Sequence, residues 1–285
     1  MLFGQILVNG VLLGGLYGLM ALGMGLVWGV LNIVNLMHGS LIMLGGYLVF
    51  YLYTGAGIDP FVALPLAMAA MFCLGWLLQR YVLSAIVRSA LLNTLLITFG
   101  LDVVLTYLAL LAFTADFRTI NPPYAGSNFD LAGVTIPVAP LAAFAVAVVL
   151  TAALWAFLDG TRTGRAIRAT AQNLTAARLH GVNPRQIYAI TFGTGAALAG
   201  AAGGLYGIVS QLTPYVGTTL TAKSFVVAIL GGLDKPRGVI LGGLALGIAE
   251  AMTAVYLDPT YTNAISFGLL VLILVSRPAR LLERA

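Results

Sequence analysis

Residues 1–58 read MLFGQILVNG VLLGGLYGLM ALGMGLVWGV LNIVNLMHGS LIMLGGYLVF YLYTGAGI, and the stretch contains no Asp, Glu, Lys or Arg. Soluble domains carry about one charged residue in four. This 285-residue chain carries 8% charged and 60% hydrophobic residues, with a mean hydropathy of +1.01. A membrane-spanning helix needs about 20 apolar residues, so the opening stretch alone holds two spans. Nearly charge-free windows follow at 60–79, 89–115 (broken by Asp102), 131–158, 186–222, 238–257 (broken by Glu250) and 259–276. No window remains that could fold as a soluble catalytic domain; the longest polar connection runs from Asp159 to Gln186. Membrane barrels alternate polar and apolar residues in segments of about 10, a pattern absent here. The sequence therefore predicts an all-α fold: a polytopic transmembrane helical bundle forming one domain over residues 1–285.

Charge placement orients the bundle. Twelve of the fourteen basic residues fall in four connections: Arg80 and Arg88; Arg162, Arg165, Arg168, Arg178 and Arg185; Lys235 and Arg237; and Arg277, Arg280 and Arg284. Lys and Arg accumulate on the cytoplasmic side. Placing all four connections there requires nine spans, near 5–29, 40–57, 61–79, 91–113, 138–158, 187–209, 219–233, 238–256 and 262–277, with the N-terminus outside and the C-terminus inside. The intervening connections are external and contain Asp59, Asp116, Asp130 and Asp258 but only Arg118 and Lys223 among basic residues. The 219–233 span is the shortest; if it only dips into the membrane, eight spans remain and the last three arginines move outside. The N-terminus lacks the positive region of a cleaved signal peptide, so the first span is expected to be retained. The arginines sit where orientation explains them, and nucleic acid is not an expected partner; membrane lipid is.

Thirty-four glycines are more than the length needs, and several are spaced for close helix contact: Gly14 and Gly18, Gly200 and Gly204, Gly203 and Gly207, Gly243 and Gly247. In lipid, helices associate through small-residue surfaces, so a tightly packed bundle follows. Cys73, the one cysteine, reads as a buried, unreactive thiol.

No catalytic constellation can be assembled. His38 and His180 are distant in sequence, there is no metal-binding cluster, and no glycine-rich phosphate loop precedes either lysine. The chain is expected to be no enzyme, with no cofactor or metal of its own. Polar groups inside spans are the remaining candidates, because hydrocarbon makes them costly. Thr94, Thr98, Asp102 and Thr106 recur every four residues and so form one stripe on a helix. The stripe is either a cavity wall or a set of threonines bonded to their own helix. Glu250 is the second intramembrane acid, either facing a solute path or held in a structural ion pair or as a protonated carboxyl.

Between the first two spans, residues 30–40 read VLNIVNLMHGS. An ordinary loop would be charged, and irregular backbone at membrane depth is tolerated only when buried in protein or lining a cavity. A break near residues 30–41 would bring Asn32, Asn35, His38 and Ser40 to a solute path; alternatively these residues cap helix ends. On the cytoplasmic side, residues 159–186 form a loop whose start carries Gly164, Arg165 and Arg168. A short helix is expected next, started by Asn173 or Thr175, containing Ala176, Ala177, Arg178 and Leu179, and ended by Gly181. Asn183-Pro184 would then open the sixth span. A short helix held between two spans presents a knob to a soluble partner.

Taken in order, Gly14-Gly15-Leu16-Tyr17-Gly18-Leu19, Asn35-Leu36-Met37-His38-Gly39, Gly164-Arg165-Ala166-Ile167-Arg168-Ala169, Ala176-Ala177-Arg178-Leu179-His180-Gly181-Val182-Asn183 and Gly231-Gly232 resemble the LivH-type permease subunits of branched-chain amino acid ABC transporters. The likeness covers essentially the whole chain. The loop also resembles the coupling motif of ABC importers, Glu-Ala-Ala, three residues, Gly, with Ala176, Ala177 and Gly181 in place and Thr175 where the glutamate would stand. The resemblance implies a multi-pass permease of the bacterial inner membrane, paired with a second, LivM-like permease, two ATP-binding subunits that carry ATP and magnesium, and an external solute-binding protein. It implies import of a branched-chain amino acid or related small solute by ATP-driven alternating access, coupled through Gly164, Arg165, Arg168, Ala176, Ala177, Arg178, Leu179 and Gly181. Similar permeases serve urea, short amides and aromatic carboxylates. From the residues alone, a proton-coupled secondary transporter or facilitator using Asp102 or Glu250, and a purely structural membrane scaffold, are the competing readings.

Overall fold

A computed structural model describes residues 2–85, 91–131, 133–232 and 236–276; Arg88, Lys235, Arg277, Arg280 and Arg284, used above to orient the chain, lie outside them. Nine helices correspond to the nine expected spans: α1 (Leu2–Leu31), α2 (His38–Ala56), α3 (Pro60–Tyr81), α4 (Leu91–Phe113), α5 (Val138–Gly160), α8 (Pro184–Val209), α9 (Val216–Gly231), α10 (Pro236–Tyr256) and α11 (Thr262–Ser276). Between α5 and α8 lie α6 (Arg162–Gln172) and α7 (Leu174–Leu179), and between α4 and α5 a hairpin of β1 (Asn128–Leu131) and β2 (Val134–Pro137). Seven of the nine are long and apolar enough to cross a membrane by themselves; α9 and α11 are shorter. The chain is thus a multi-pass helical membrane protein.

Helix limits follow local chemistry. Asp59 accepts the Phe61 amide at 2.9 Å to start α3 with Pro60 in its first turn. Gly57, at φ 67°, closes α2. Asn183 accepts the Arg185 amide at 3.1 Å and Pro184 opens α8, as the sequence predicts.

The centre is built from α1, α2 and α8, and glycine makes it possible. A Cβ on Gly203 would lie 1.8 Å from the Ile42 carbonyl oxygen, and one on Gly247 would lie 2.3 Å from that of Gly10. Those distances allow only hydrogen, so backbones touch where the sequence places glycine pairs. Contacts of Gly10 with Ile248, Gly14 with Leu244 and Gly18 with Ile240 make α1 and α10 antiparallel. Gly75 meets Phe192 and Ala196 while Gly204 meets Leu64, so α3 and α8 are antiparallel and Arg80 and Arg185 share one end of the bundle. Cys73, expected to be buried, is exposed on α3. Its helix presents much of its surface outward, and hydrocarbon covers an apolar thiol as well as protein does.

The opposite end is laced together. Arg118 and Leu212 exchange backbone hydrogen bonds of 2.9 and 2.7 Å, and the Ile120 amide donates to the Gly207 carbonyl at 2.9 Å. Gln5 clamps the hairpin by donating to the Thr135 carbonyl at 2.7 Å and accepting the Thr135 amide at 2.9 Å. Tyr124 donates to Asp59 at 2.9 Å; burial pushes this hydroxyl up, and the carboxylate it serves adds to the effect. The start of α1 therefore lies with the 114–136 connection, on the side the charge distribution assigns to the exterior.

Candidate functional site

The first two spans are separated by a real break. α1 ends at Leu31, where Asn32 takes φ 52° and its amide closes the last turn on the Trp28 carbonyl at 2.9 Å. α2 begins only at His38. Nε2 of His38 lies 2.9 Å from the Met20 carbonyl oxygen, eleven residues before the end of α1. At 1.5 Å per helical residue, the segment 32–37 thus doubles back along α1 by about 16 Å. Six extended residues cover that distance. Ile33, Val34, Asn35 and Met37 are buried, which irregular backbone at this depth requires.

The groups expected either to cap or to line a path behave differently from one another. Asn32 is exposed at the end of α1. No side chain of the break caps α2; Thr221 of α9 does so, accepting the Gly39 amide at 2.7 Å and donating to the Leu36 carbonyl at 3.1 Å. Asn35 is 2% exposed, and neither atom of its amide meets a protein partner among the described residues. A carbonyl can only accept, so the neutral His38 ring carries its proton on Nε2 toward Met20. Its Nδ1 is then an acceptor without a protein partner among the described residues.

The stripe on α4 faces this break. Ser40 donates to Asp102 Oδ1 at 2.5 Å and lies 3.4 Å from the Thr106 hydroxyl. Thr98 Oγ1 lies 3.0 Å from the Val34 carbonyl oxygen, across the interface, and 2.9 Å from that of Thr94 in its own helix, and its one proton has both as acceptors within reach. Thr94, Thr98 and Asp102 are all buried, whereas Leu92, Leu96, Phe99 and Leu111 of the same helix are exposed. One face of α4 thus supplies polar groups to the break and the other is clothed in apolar side chains. A cavity of about 170 Å³ lies elsewhere, between α3, α5 and α8, and is lined by Met68, Leu150, Leu154, Phe157 and Leu198, with Thr194 its one polar side chain.

Glu250 does not join this group. It accepts from Tyr17 of α1 at 2.7 Å, from Lys223 of α9 at 2.9 Å and from Ser266 of α11. Lys223 also donates to the Tyr17 hydroxyl at 2.9 Å. The charge count groups Lys223 with the external connections although the expected 219–233 span contains it; it stands at the centre of α9, inside the bundle. The misplacement has a physical cause. A lysine is excluded from hydrocarbon unless an acid neutralises it, and the acid lies 27 residues further along the chain.

At the end of the bundle that holds Arg80 and Arg185, α6 goes beyond the sequence reading, in which residues 161–169 are only a basic lead-in. Thr161 caps it by accepting the Gly164 amide at 2.9 Å, and Ile167 and Thr170, three residues apart, are buried while Arg162, Arg165 and Arg168 face out. That spacing was the available signal. Arg168 pairs with Asp159 at 2.5 Å. α7 follows, with Asn173 accepting the Ala176 amide at 2.9 Å and Gly181 in the left-handed region at φ 81°. Ala177 is buried under the turn, Ala176 and Arg178 are exposed, and Leu179 is 84% exposed at the tip.

A multi-pass helical bundle with a re-entrant break, a buried polar seam and a helical knob at its basic end belongs to the class of membrane permeases. The family described as branched-chain amino acid transport system, permease component, matches residues 6–274, and the chain belongs to that family. It is 33% identical to the high-affinity branched-chain amino acid transport system permease protein LivH of Escherichia coli strain K12, over 99% of this chain and 96% of that one. It is also 33% identical to the corresponding permease protein BraD of Pseudomonas aeruginosa, over 98% and 95% of the two chains. A probable branched-chain amino acid transport permease protein LivH of Methanocaldococcus jannaschii is 26% identical over 95% and 88%. No solved structure matches the chain.

Proposed function

We propose that this chain is the permease subunit of an ABC importer of the bacterial inner membrane that takes a branched-chain amino acid or a related small solute from an external binding protein. A second, LivM-like permease completes the membrane part, and two ATP-binding subunits carry ATP and magnesium. One observation carries this reading beyond a generic permease: the capped α7, held between α6 and α8 with Leu179 projecting into solvent from an otherwise charged loop. An exposed leucine at the tip of a rigid, independently capped turn suits insertion into a cleft of a partner, and an ATPase is the partner that an importer without a phosphate-binding loop requires. Nucleotide-driven closure of the ATPases would move α6 and α7 as a unit and change the access of the break and the α4 stripe, through differential affinity for the two states.

Urea, amides and aromatic carboxylates remain chemically compatible solutes, since Asn35, His38, Ser40, Thr98 and Asp102 are hydrogen-bonding groups without a fixed cation among them. The decisive experiment is uptake into proteoliposomes containing the co-purified subunits, with leucine supplied on its binding protein. Uptake is expected only with ATP and magnesium inside. Leu179→Asp, at a solvent-exposed position, should leave thermal stability unchanged and abolish ATP-dependent uptake. Uptake that follows a proton gradient and ignores ATP would replace this reading with secondary transport.

A further inference from the structure

The short helix α9 carries polar side chains on two faces, and both are engaged. Thr221 holds the start of α2 through Gly39 and Leu36. Lys223, two residues on, projects about 200° away around the helix and holds Glu250 and Tyr17. Gly217 packs against Gly39 and Ser40 on the first side. On the second side Glu250 accepts bonds from three helices at once, α1, α9 and α11, while itself belonging to α10.

Two features make this arrangement more than packing. Glu250 and Lys223 satisfy each other's charge, and Tyr17 and Ser266 occupy the carboxylate oxygens, so nothing in the cluster is left to bind a solute. Meanwhile α2 lacks a side-chain cap of its own and depends on Thr221 to accept its second amide, that of Gly39. α9 is about 24 Å long against a hydrocarbon core of about 30 Å, so its depth is not fixed by its apolar length. Close backbone packing of Gly217 on Gly39 and of Gly231 on Gly238 sets it together with side-chain anchors, and Lys223 is its one charged residue.

We infer that Lys223 and Glu250 are positioning residues of the permease: their ion pair fixes the height and rotation of α9, and α9, through Thr221, fixes the re-entrant break that begins α2. Glu250 thus governs the solute path from the other side of α9 without lining it. The inference deepens the permease reading, and its test is structural, so that its failure is distinguishable from failure of the transport assignment.

The test reads the exposure of the break directly. Cys73 is replaced by Ser and Val34, which is 9% exposed, by Cys; the rate of labelling by a membrane-permeant maleimide is measured on the complex in liposomes. Slow labelling is expected with the native pair. Lys223→Met with Glu250→Met should raise the rate about tenfold or more while the complex stays assembled, and the reversed pair, Lys223→Glu with Glu250→Lys, should bring it back. Thr221→Val, which leaves the ion pair alone, should raise the rate as well, and Thr221→Ser should not. An assembled double-Met complex that labels as slowly as the parent overturns the inference. If that complex does not assemble, slow labelling in Thr221→Val overturns it equally.

Discussion

The two intramembrane carboxyl groups of this chain are partnered in opposite ways. Glu250 is met by a lysine, a tyrosine and a serine from three other helices. Asp102 is met by the Ser40 hydroxyl of α2, with Thr106 beside it and no cation in contact among the described residues. A buried ion pair costs several kcal/mol per ion in desolvation and holds only with good geometry and extra hydrogen bonds, which is the geometry around Glu250. Asp102 has one hydroxyl donor and stands on α4, the least enclosed of the seven long apolar helices. A carboxylate so lightly held can take water, a solute group or a proton without dismantling the fold. Glu250 is fixed from three other helices, while the more lightly held Asp102 stands at the break.

The largest expected effect tests the fixed side. Lys223→Met alone leaves Glu250 buried without its counter-charge and should destabilise the protein by about 3–5 kcal/mol, whereas pairing it with Glu250→Met should return stability close to the parent. Denaturation in detergent micelles reads both. Equal losses in single and double variants would show that the lysine acts through packing and would erase the contrast. Next in size, Ser40→Ala removes a hydrogen bond to a buried carboxyl and should cost about 1.5–3 kcal/mol. The smallest effect on stability is expected for Asp102→Asn, within about 1 kcal/mol, because the amide oxygen can still accept from Ser40. Uptake should nevertheless fall clearly in Asp102→Asn. Unchanged uptake would move Asp102 to the fixed class with Glu250.

The short helix α9 illustrates how one missing contact misleads a sequence reading. Its limits were legible from apolar length, yet its lysine reads as external because a charge in hydrocarbon demands a partner that no local window contains. Once paired with Tyr17, near the middle of the 30-residue α1, Lys223 puts the centre of α9 near mid-membrane. About 24 Å of helix falls short of a hydrocarbon core of about 30 Å. In the same way the break was legible as an apolar, uncharged linker, while the residue that caps α2 was not. Thr221 lies 185 residues from Leu36, and no spacing rule joins them.

What the sequence determined by itself is everything governed by composition and local periodicity. The absence of charge over residues 1–58 set the membrane class. The limits of all nine membrane-depth helices fall within three residues of those expected, because hydrocarbon length and capping residues act within one turn or one span. The Asn173 to Gly181 knob was visible for the same reason. Only the tertiary structure decided which polar groups meet. It joined Asp102 to Ser40 and Thr98 to the Val34 carbonyl, and it withdrew Glu250 into a cluster with Tyr17, Lys223 and Ser266. Those assignments rest on the rotation and depth of each helix. In a bundle where glycine lets backbones touch, that geometry is set by packing against neighbours distant in sequence.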